Sequence, residues 1–152
     1  MLINLLQQLD ILQYMNTRYL MILFFLSTSL GANEKPIAPD AIPGVAIVSA
    51  EQAVALILSN SELIILDSRK EDEYAKGHIE MAISFPDTQM EKQDFRQRFP
   101  NQNRPFLVYC NGVHCLRSSN AAKKILQWGY GTLYWMRGGW QEWISKALPI
   151  AY

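Results

Sequence analysis

Two short runs of unbroken apolar residues, Leu63-Ile64-Ile65-Leu66 and Phe106-Leu107-Val108-Tyr109, restrict the fold of this chain more than any other feature. A strand with one wet face alternates apolar and polar side chains. A run without alternation suits a strand covered on both faces, as in a parallel sheet held between helices. Polar residues end both runs, Asp67-Ser68 after the first and Cys110-Asn111-Gly112 after the second. Around them the chain alternates in type. Ser49-Ala50-Glu51-Gln52 sets a hydroxyl ahead of an apolar-periodic stretch reaching Leu58, the opening of a helix. Glu71–Lys76 reads as a helical turn closed by Gly77, Ala82–Pro86 as a short strand, and Thr88–Phe99 as a helix stopped by Pro100. Ser118–Trp128 reads as a helix ended by Gly129, Leu133-Tyr134-Trp135 as a strand, and Trp140–Lys146 as a closing helix. Strands that alternate with helices join through right-handed crossovers, so the expected class is α/β: one small parallel sheet with helices on both faces.

With 152 residues there is room for one such domain and some additional chain. Fourteen basic and fourteen acidic side chains give no formal net charge, hence no electrostatic footprint for nucleic acid or an acidic membrane. Cys110 and Cys115 lie too close together to staple distant parts of a fold. Together with His78 and His114 they lack the C-x2-C or H-x3-H spacing of a structural zinc site, and no glycine-rich phosphate loop is present, so neither metal nor cofactor is expected. Tyr130, Tyr134, Trp135, Trp140 and Trp143 read as core filling with polar edges outward.

The N-terminal part is of another kind. Tyr19–Leu30 is apolar, follows Arg18 and ends in Leu30-Gly31-Ala32, small residues of the sort that signal peptidase accepts. Residues 1–32 are therefore expected to be a signal peptide or an N-terminal membrane anchor, with Met15 as an alternative start. That expectation implies a periplasmic or secreted domain, touching membrane only through this segment. Prolines 36, 39 and 43 suggest a linker over residues 33–44, with the folded domain spanning 45–152.

In open α/β sheets ligands gather at the carboxyl ends of the strands, where Cys110 stands. Between a strand and a following helix, backbone N–H groups without intrahelical partners converge, and the helix dipole adds positive charge. Asn111, Gly112, Val113, His114, Cys115, Leu116 and Arg117 make up such an anion cradle. A sulfur inside it is expected to lose its proton easily and to act as a nucleophile, with Cys110 attacking a sulfane sulfur donor and holding the sulfur as a persulfide. Cys115 is read as a resolving thiol, a second sulfur acceptor or packing for the helix start.

These residues resemble the rhodanese, or sulfurtransferase, family over about the last hundred positions. Leu66-Asp67-Ser68-Arg69 with Glu73-Tyr74 and Gly77-His78-Ile79 is similar to a D-x-R…E-Y…G-H-I segment. Ala82-Ile83 with Pro86, the Cys110 loop closed by Arg117-Ser118, and Arg137-Gly138-Gly139-Trp140 with Trp143 extend the likeness. The resemblance implies a small parallel sheet wrapped by helices, a nucleophile at Cys110, Arg117 at the far end of the loop, and structural positions at Asp67, Arg69 and His78. Gly138 and Gly139 are expected to permit a tight turn beside the loop.

One feature departs from the pattern. The commoner loop of the family resembles C-x4-R, whereas Cys110 to Arg117 is C-x6-R with a second cysteine inside it. Family members with lengthened loops include phosphatases and arsenate reductases. Against that chemistry, no carboxylate stands within the loop to act as general acid. The leading expectation is a sulfurtransferase taking sulfur from a small donor and passing it to a thiol or cyanide acceptor. Its alternatives are a thiol–disulfide redox or non-catalytic binding module using Cys110 and Cys115, and a phosphatase-like or arsenate-reductase-like activity. In an oxidising compartment a reductant protein partner is required to keep the pair reduced.

Overall fold

A computed structural model describes residues 35–152; the expected signal peptide or anchor at 1–32 lies outside the described residues. Five strands form one sheet: β1 (Ala46–Ile47), β2 (Ile64–Asp67), β3 (Ile83–Ser84), β4 (Phe106–Tyr109) and β5 (Leu133–Met136). Their order is β1-β5-β4-β2-β3 and every pairing is parallel. Between them run α1 (Ala50–Ser59), α2 (Glu71–Ala75), α3 (Lys92–Arg98), α4 (Arg117–Gln127) and α5 (Gly139–Ser145). The chain is α/β with helices on both faces of the sheet, as its apolar runs require.

The strand period of two sorts the core into two layers. Ile64, Leu66, Phe106, Val108 and Leu133 point to the face covered by Phe95 of α3 and by Ala121 and Ile125 of α4. Ile65, Leu107, Tyr109 and Met136 point to the other face, against Ala50 and Ala53 of α1 and Trp143 of α5. Phe95 is the hub of the first layer, meeting the rings of Phe99, Phe106, Trp128 and Tyr130 at centroid distances of 4.8, 5.4, 5.2 and 5.1 Å. A buried ring of this kind is worth about 3–5 kcal/mol against truncation to alanine. Helix α1 starts in a capping box: Ser49 Oγ accepts from Gln52 N at 3.2 Å, and Gln52 Oε1 accepts from Ser49 N at 2.8 Å.

Three expectations need correcting, and one strand is additional. The helix expected over Thr88–Phe99 is split into a 3-10 turn at Asp87–Gln89 and α3. Lys124 Nζ donates to the carbonyls of Asp87 at 2.8 Å and Met90 at 3.1 Å, and Met90 is buried, so tertiary contacts replace the helical hydrogen bonds there. Strand β1 was not foreseen: it lies in the apolar run Val45-Ala46-Ile47-Val48, but it is an exposed two-residue edge paired only with β5. The linker expected over 33–44 is folded onto the domain from Ala38 onward. Ala38 and Ile42 are buried beside Ala122 and Trp135. Arg137 donates to the carbonyls of Pro39 and Ala38, both at 2.9 Å, and to Asp40 Oδ1 at 3.0 Å, which supplies partners to a backbone with no ladder of its own. Three of the five aromatic edges find protein partners rather than turning outward: Trp135 Nε1 donates to Ser118 Oγ at 2.9 Å, Trp143 Nε1 to the Pro149 carbonyl at 2.8 Å, and Tyr130 OH to the Phe99 carbonyl at 2.5 Å.

Candidate active site

Strand β4 lies in the middle of the sheet, and its register pairs Tyr109 with Asp67 on one side and Met136 on the other. The chain therefore leaves the sheet at Cys110 with neighbours on both flanks, loops over its carboxyl edge and enters α4 at Arg117. The start of α5 holds this loop from outside. Trp140 N donates to the Cys110 carbonyl at 2.7 Å and Gln141 N to the Asn111 carbonyl at 3.0 Å. Such close approach requires glycine. Gly139 has φ +58°, and a Cβ there would run into the Cys110 carbonyl; a Cβ on Gly112, at φ +152°, would lie 2.8 Å from Gln141 Oε1 and 3.1 Å from the Gly138 carbonyl.

The two cysteines occupy different levels. Cys110 is 1% exposed. Its sulfur accepts from Ser118 Oγ at 3.0 Å and donates to the Cys115 carbonyl at 3.1 Å. Cys115 is half-buried and lines a cleft of about 520 Å³ together with Asn111, Gly112, His114, Leu116 and Arg117 from the loop, and Lys35, Pro36, Lys70, Glu73 and Gln141 from outside it. Cys110 and Val113 do not line the cleft; the Val113 carbonyl accepts from Ala38 N at 2.7 Å. Six of the eight loop residues named from the sequence thus converge on the cleft.

Acidity is distributed differently from the expectation. The neighbouring Cys115 thiol raises the proton affinity of Cys110, and burial adds to the effect. Cys110 in turn pulls the Cys115 thiol down to about 6; the N–H groups of Asn111 and Arg117 and the guanidinium of Arg117 assist, against an opposing contribution from burial. Of the two, Cys115 is the more acidic thiol: Cys110 and the N–H groups of Asn111 and Arg117 favour its ionised form, while burial favours the proton on Cys110. The loop therefore carries two candidate nucleophiles, Cys110 at the end of β4 and Cys115 at the cleft.

Glu73 was quoted in a motif and given no role; it reaches the loop from α2. Its Oε1 accepts from Asn111 Nδ2 at 2.6 Å, its Oε2 accepts from Lys70 N at 3.0 Å, and Oε2 lies 3.8 Å from Arg117 Nη1. Burial raises its proton affinity, yet the Lys70 N–H, the Asn111 amide and Arg117 outweigh that and keep it a carboxylate. Ser118 and Trp135, which fix the Cys110 sulfur, and Lys70 and Gln141, which border the cleft, were missed as site residues as well. Only tertiary contact identifies them; Ser118 alone had a signal, as the residue after Arg117 in the family-like loop.

Beneath the loop lies a buried brace. Arg69 Nη2 donates to Asp67 Oδ2 at 2.7 Å and to the Gly77 carbonyl at 2.7 Å, and Tyr109 OH donates to the same Asp67 oxygen at 2.6 Å. The Arg69 guanidinium covers Trp140 at 4.3 Å from the ring centre. His78 stacks on Tyr74 at 3.8 Å. None of Asp67, Arg69 or His78 reaches the cleft, which gives them a structural place. Among the described residues no group of three or more His, Cys, Asp or Glu side chains comes together as a metal site. The arrangement offers a thiolate beside cationic side chains, with a second thiol directly behind it.

The family model described as the rhodanese-like domain matches residues 49–146, more than half of the chain. The tRNA uridine(34) hydroxylase of Photorhabdus laumondii is 30% identical over 117 residues, covering 69% of this chain and 31% of that protein. A sulfurtransferase of Allochromatium vinosum is 27% identical over 103 residues, covering 68% of this chain and 92% of that protein. Thiosulfate sulfurtransferase GlpE of Coxiella burnetii is 25% identical over 87 residues, covering 57% of this chain and 77% of that protein. The chain thus spans about a third of the hydroxylase and most of the two sulfurtransferases. Among solved structures, the BH2092 protein from Bacillus halodurans superposes with a TM-score of 0.63 at 23% identity, covering 70% of this chain and 76% of that one. The polysulfide-sulfur transferase from Wolinella succinogenes gives 0.57 at 18% identity, covering 71% and 79%; at these identities the likeness concerns the fold alone. With the family model matched over β2 to β5, the Cys110 loop and the closing helix, the chain belongs to the rhodanese-like domain family.

Proposed function

We propose that this domain is a sulfurtransferase that takes a sulfane sulfur onto the Cys110–Arg117 loop as a cysteine persulfide and passes it to a thiol or cyanide acceptor. The observation that carries the reading is a cysteine thiolate at the wall of a cleft whose other ionic groups include Lys35, Lys70 and Arg117. Small sulfur donors such as thiosulfate and persulfides are anions with a polarised S–S bond. Cationic side chains hold the anion, the thiolate attacks its outer sulfur, and the cradle stabilises the leaving charge and the new persulfide. Cys110 is nominated by its position at the end of β4, and Cys115 by its exposure; both belong to the reacting loop. The names of several relatives, among them the sulfurtransferases of Allochromatium vinosum and Coxiella burnetii, support the same chemistry. Glu73 argues against the phosphatase-like alternative: it is the carboxylate at the loop, and it is held ionised, unfit to donate a proton to an alkoxide leaving group.

The test uses the full chain, reduced and desalted, incubated with thiosulfate and separately with glutathione persulfide. Thiocyanate formation with cyanide and peptide mass maps are followed for the native protein, Cys110→Ser and Cys115→Ser. One added sulfur on a loop cysteine in at least one of the three proteins, with turnover to thiocyanate or sulfide, is expected. Absence of sulfur on either cysteine in all three, with no turnover, overturns the proposal.

A further inference from the structure

A carrier cysteine has to meet its donor, and Cys110 is poorly placed for that. It is almost fully buried, both of its sulfur's hydrogen-bond directions are taken by Ser118 and the Cys115 carbonyl, and it does not line the cleft. The cysteine that lines the cleft is Cys115, half-buried, together with Arg117 and Lys70. We infer that Cys115 is the thiol that attacks the donor, and that Cys110, whose sulfur lies 3.1 Å from the Cys115 carbonyl oxygen, then expels the captured sulfur as hydrogen sulfide by closing a Cys110–Cys115 disulfide. This rests on the sulfur-transfer reading and gives the second cysteine of the lengthened loop its purpose.

The two steps balance. In the first, the Cys115 thiolate bonds to the outer sulfur of a persulfide R–S–SH, the donor's S–S bond breaks, and RS⁻ leaves and takes a proton from water. The product is Cys115–S–SH. In the second, the Cys110 sulfur bonds to the inner sulfur of that persulfide, the bond to the outer sulfur breaks, and the Cys110 proton departs with it as H₂S. The sulfane sulfur gains an electron pair and the two thiols lose one. A dithiol reductant restores them by exchange and is itself oxidised to a disulfide. Geometry favours attack on the inner sulfur. The Cys110 sulfur already touches the Cys115 backbone, whereas a sulfur added to Cys115 has room on the cleft side. Ser118 is a positioning residue for this step: its hydroxyl, itself held by Trp135 Nε1, donates to the Cys110 sulfur as that sulfur gives up its proton.

The experiment mixes the reduced full chain with glutathione persulfide without cyanide, samples it over time by thiol alkylation and peptide mapping, and measures free sulfide. The native chain is expected to release one sulfide per Cys110–Cys115 disulfide formed, with a transient persulfide on Cys115. Cys110→Ser is expected to hold a stable persulfide on Cys115 and to release no sulfide above background, and Cys115→Ser to load no sulfur. The time course in the native chain decides the order of events independently of how either variant folds. A persulfide that accumulates on Cys110, or sulfide release without a disulfide, overturns this inference and leaves the sulfurtransferase reading standing. No sulfur on either residue and no sulfide overturns both.

Discussion

Ser118 donates its hydroxyl proton to the buried sulfur of Cys110 at 3.0 Å. The direction follows from a third residue: the Trp135 indole can only donate, and it donates to the same oxygen at 2.9 Å. Ser118→Ala removes the partner of both. Trp135 is fully buried, so its N–H would be left unpaired, at a penalty of about 1–3 kcal/mol. The expected outcome is a lower urea midpoint with an unchanged m-value, checked by equilibrium unfolding.

The acidity of Cys115 sets a pH dependence. Its reactivity follows the thiolate fraction, so the alkylation rate should stay near its plateau as pH falls through 8 and 7, and halve close to about 6. An ordinary cysteine halves near about 8.5. The neighbouring Cys110 thiol is the largest cause of the shift, so Cys110→Ala is expected to move the midpoint upward. Rates of iodoacetamide labelling at Cys115, resolved by peptide mapping, test both statements. A native midpoint at or above that of free cysteine would contradict them.

The brace under the loop predicts a large stability effect. Arg69 and Asp67 are 2% and 0% exposed in their side chains. Arg69→Met leaves the Asp67 carboxylate buried with only the Tyr109 hydroxyl and the Arg69 backbone N–H as donors, a loss of about 3–5 kcal/mol. Adding Asp67→Leu to it should recover part of that loss, because two apolar side chains no longer desolvate a charge. Guanidinium unfolding of the single and double variants measures the difference; equal midpoints would assign the loss to packing alone.

Glu73 competes with an anionic donor for Arg117. Glu73→Gln preserves an acceptor for Asn111 and removes the charge 3.8 Å from the guanidinium. The apparent KM for thiosulfate is expected to fall by about two- to fivefold, the scale of a partly exposed ion pair, and its dependence on salt to steepen. Steady-state kinetics at two ionic strengths check this. An increased KM would mean that Glu73 orders the loop more than it occupies the anion's place.

Much of this protein is dictated locally. The apolar runs at 63–66 and 106–109 are strands because nothing in them tolerates water on either side, and their abrupt polar ends set the loop at the carboxyl edge of the sheet. The helix starting at Ala50 is announced by its cap, and the glycines at 138 and 139 by the turn they make. Locating the Cys110–Arg117 loop needed no more than the strand before it and the helix after it. Tertiary structure decided the rest, since it depends on what lies across space. The prolines near residue 40 look like a linker until Arg137, almost a hundred positions away, satisfies their carbonyls. Glu73 becomes part of the site only when α2 is folded against the loop. The burial that keeps a proton on Cys110 and the converging N–H groups that strip one from Cys115 are properties of depth and direction. Spacing along a chain records neither, so the sequence by itself determined where the two-cysteine loop sits, and only the packed loop decided which cysteine lines the cleft.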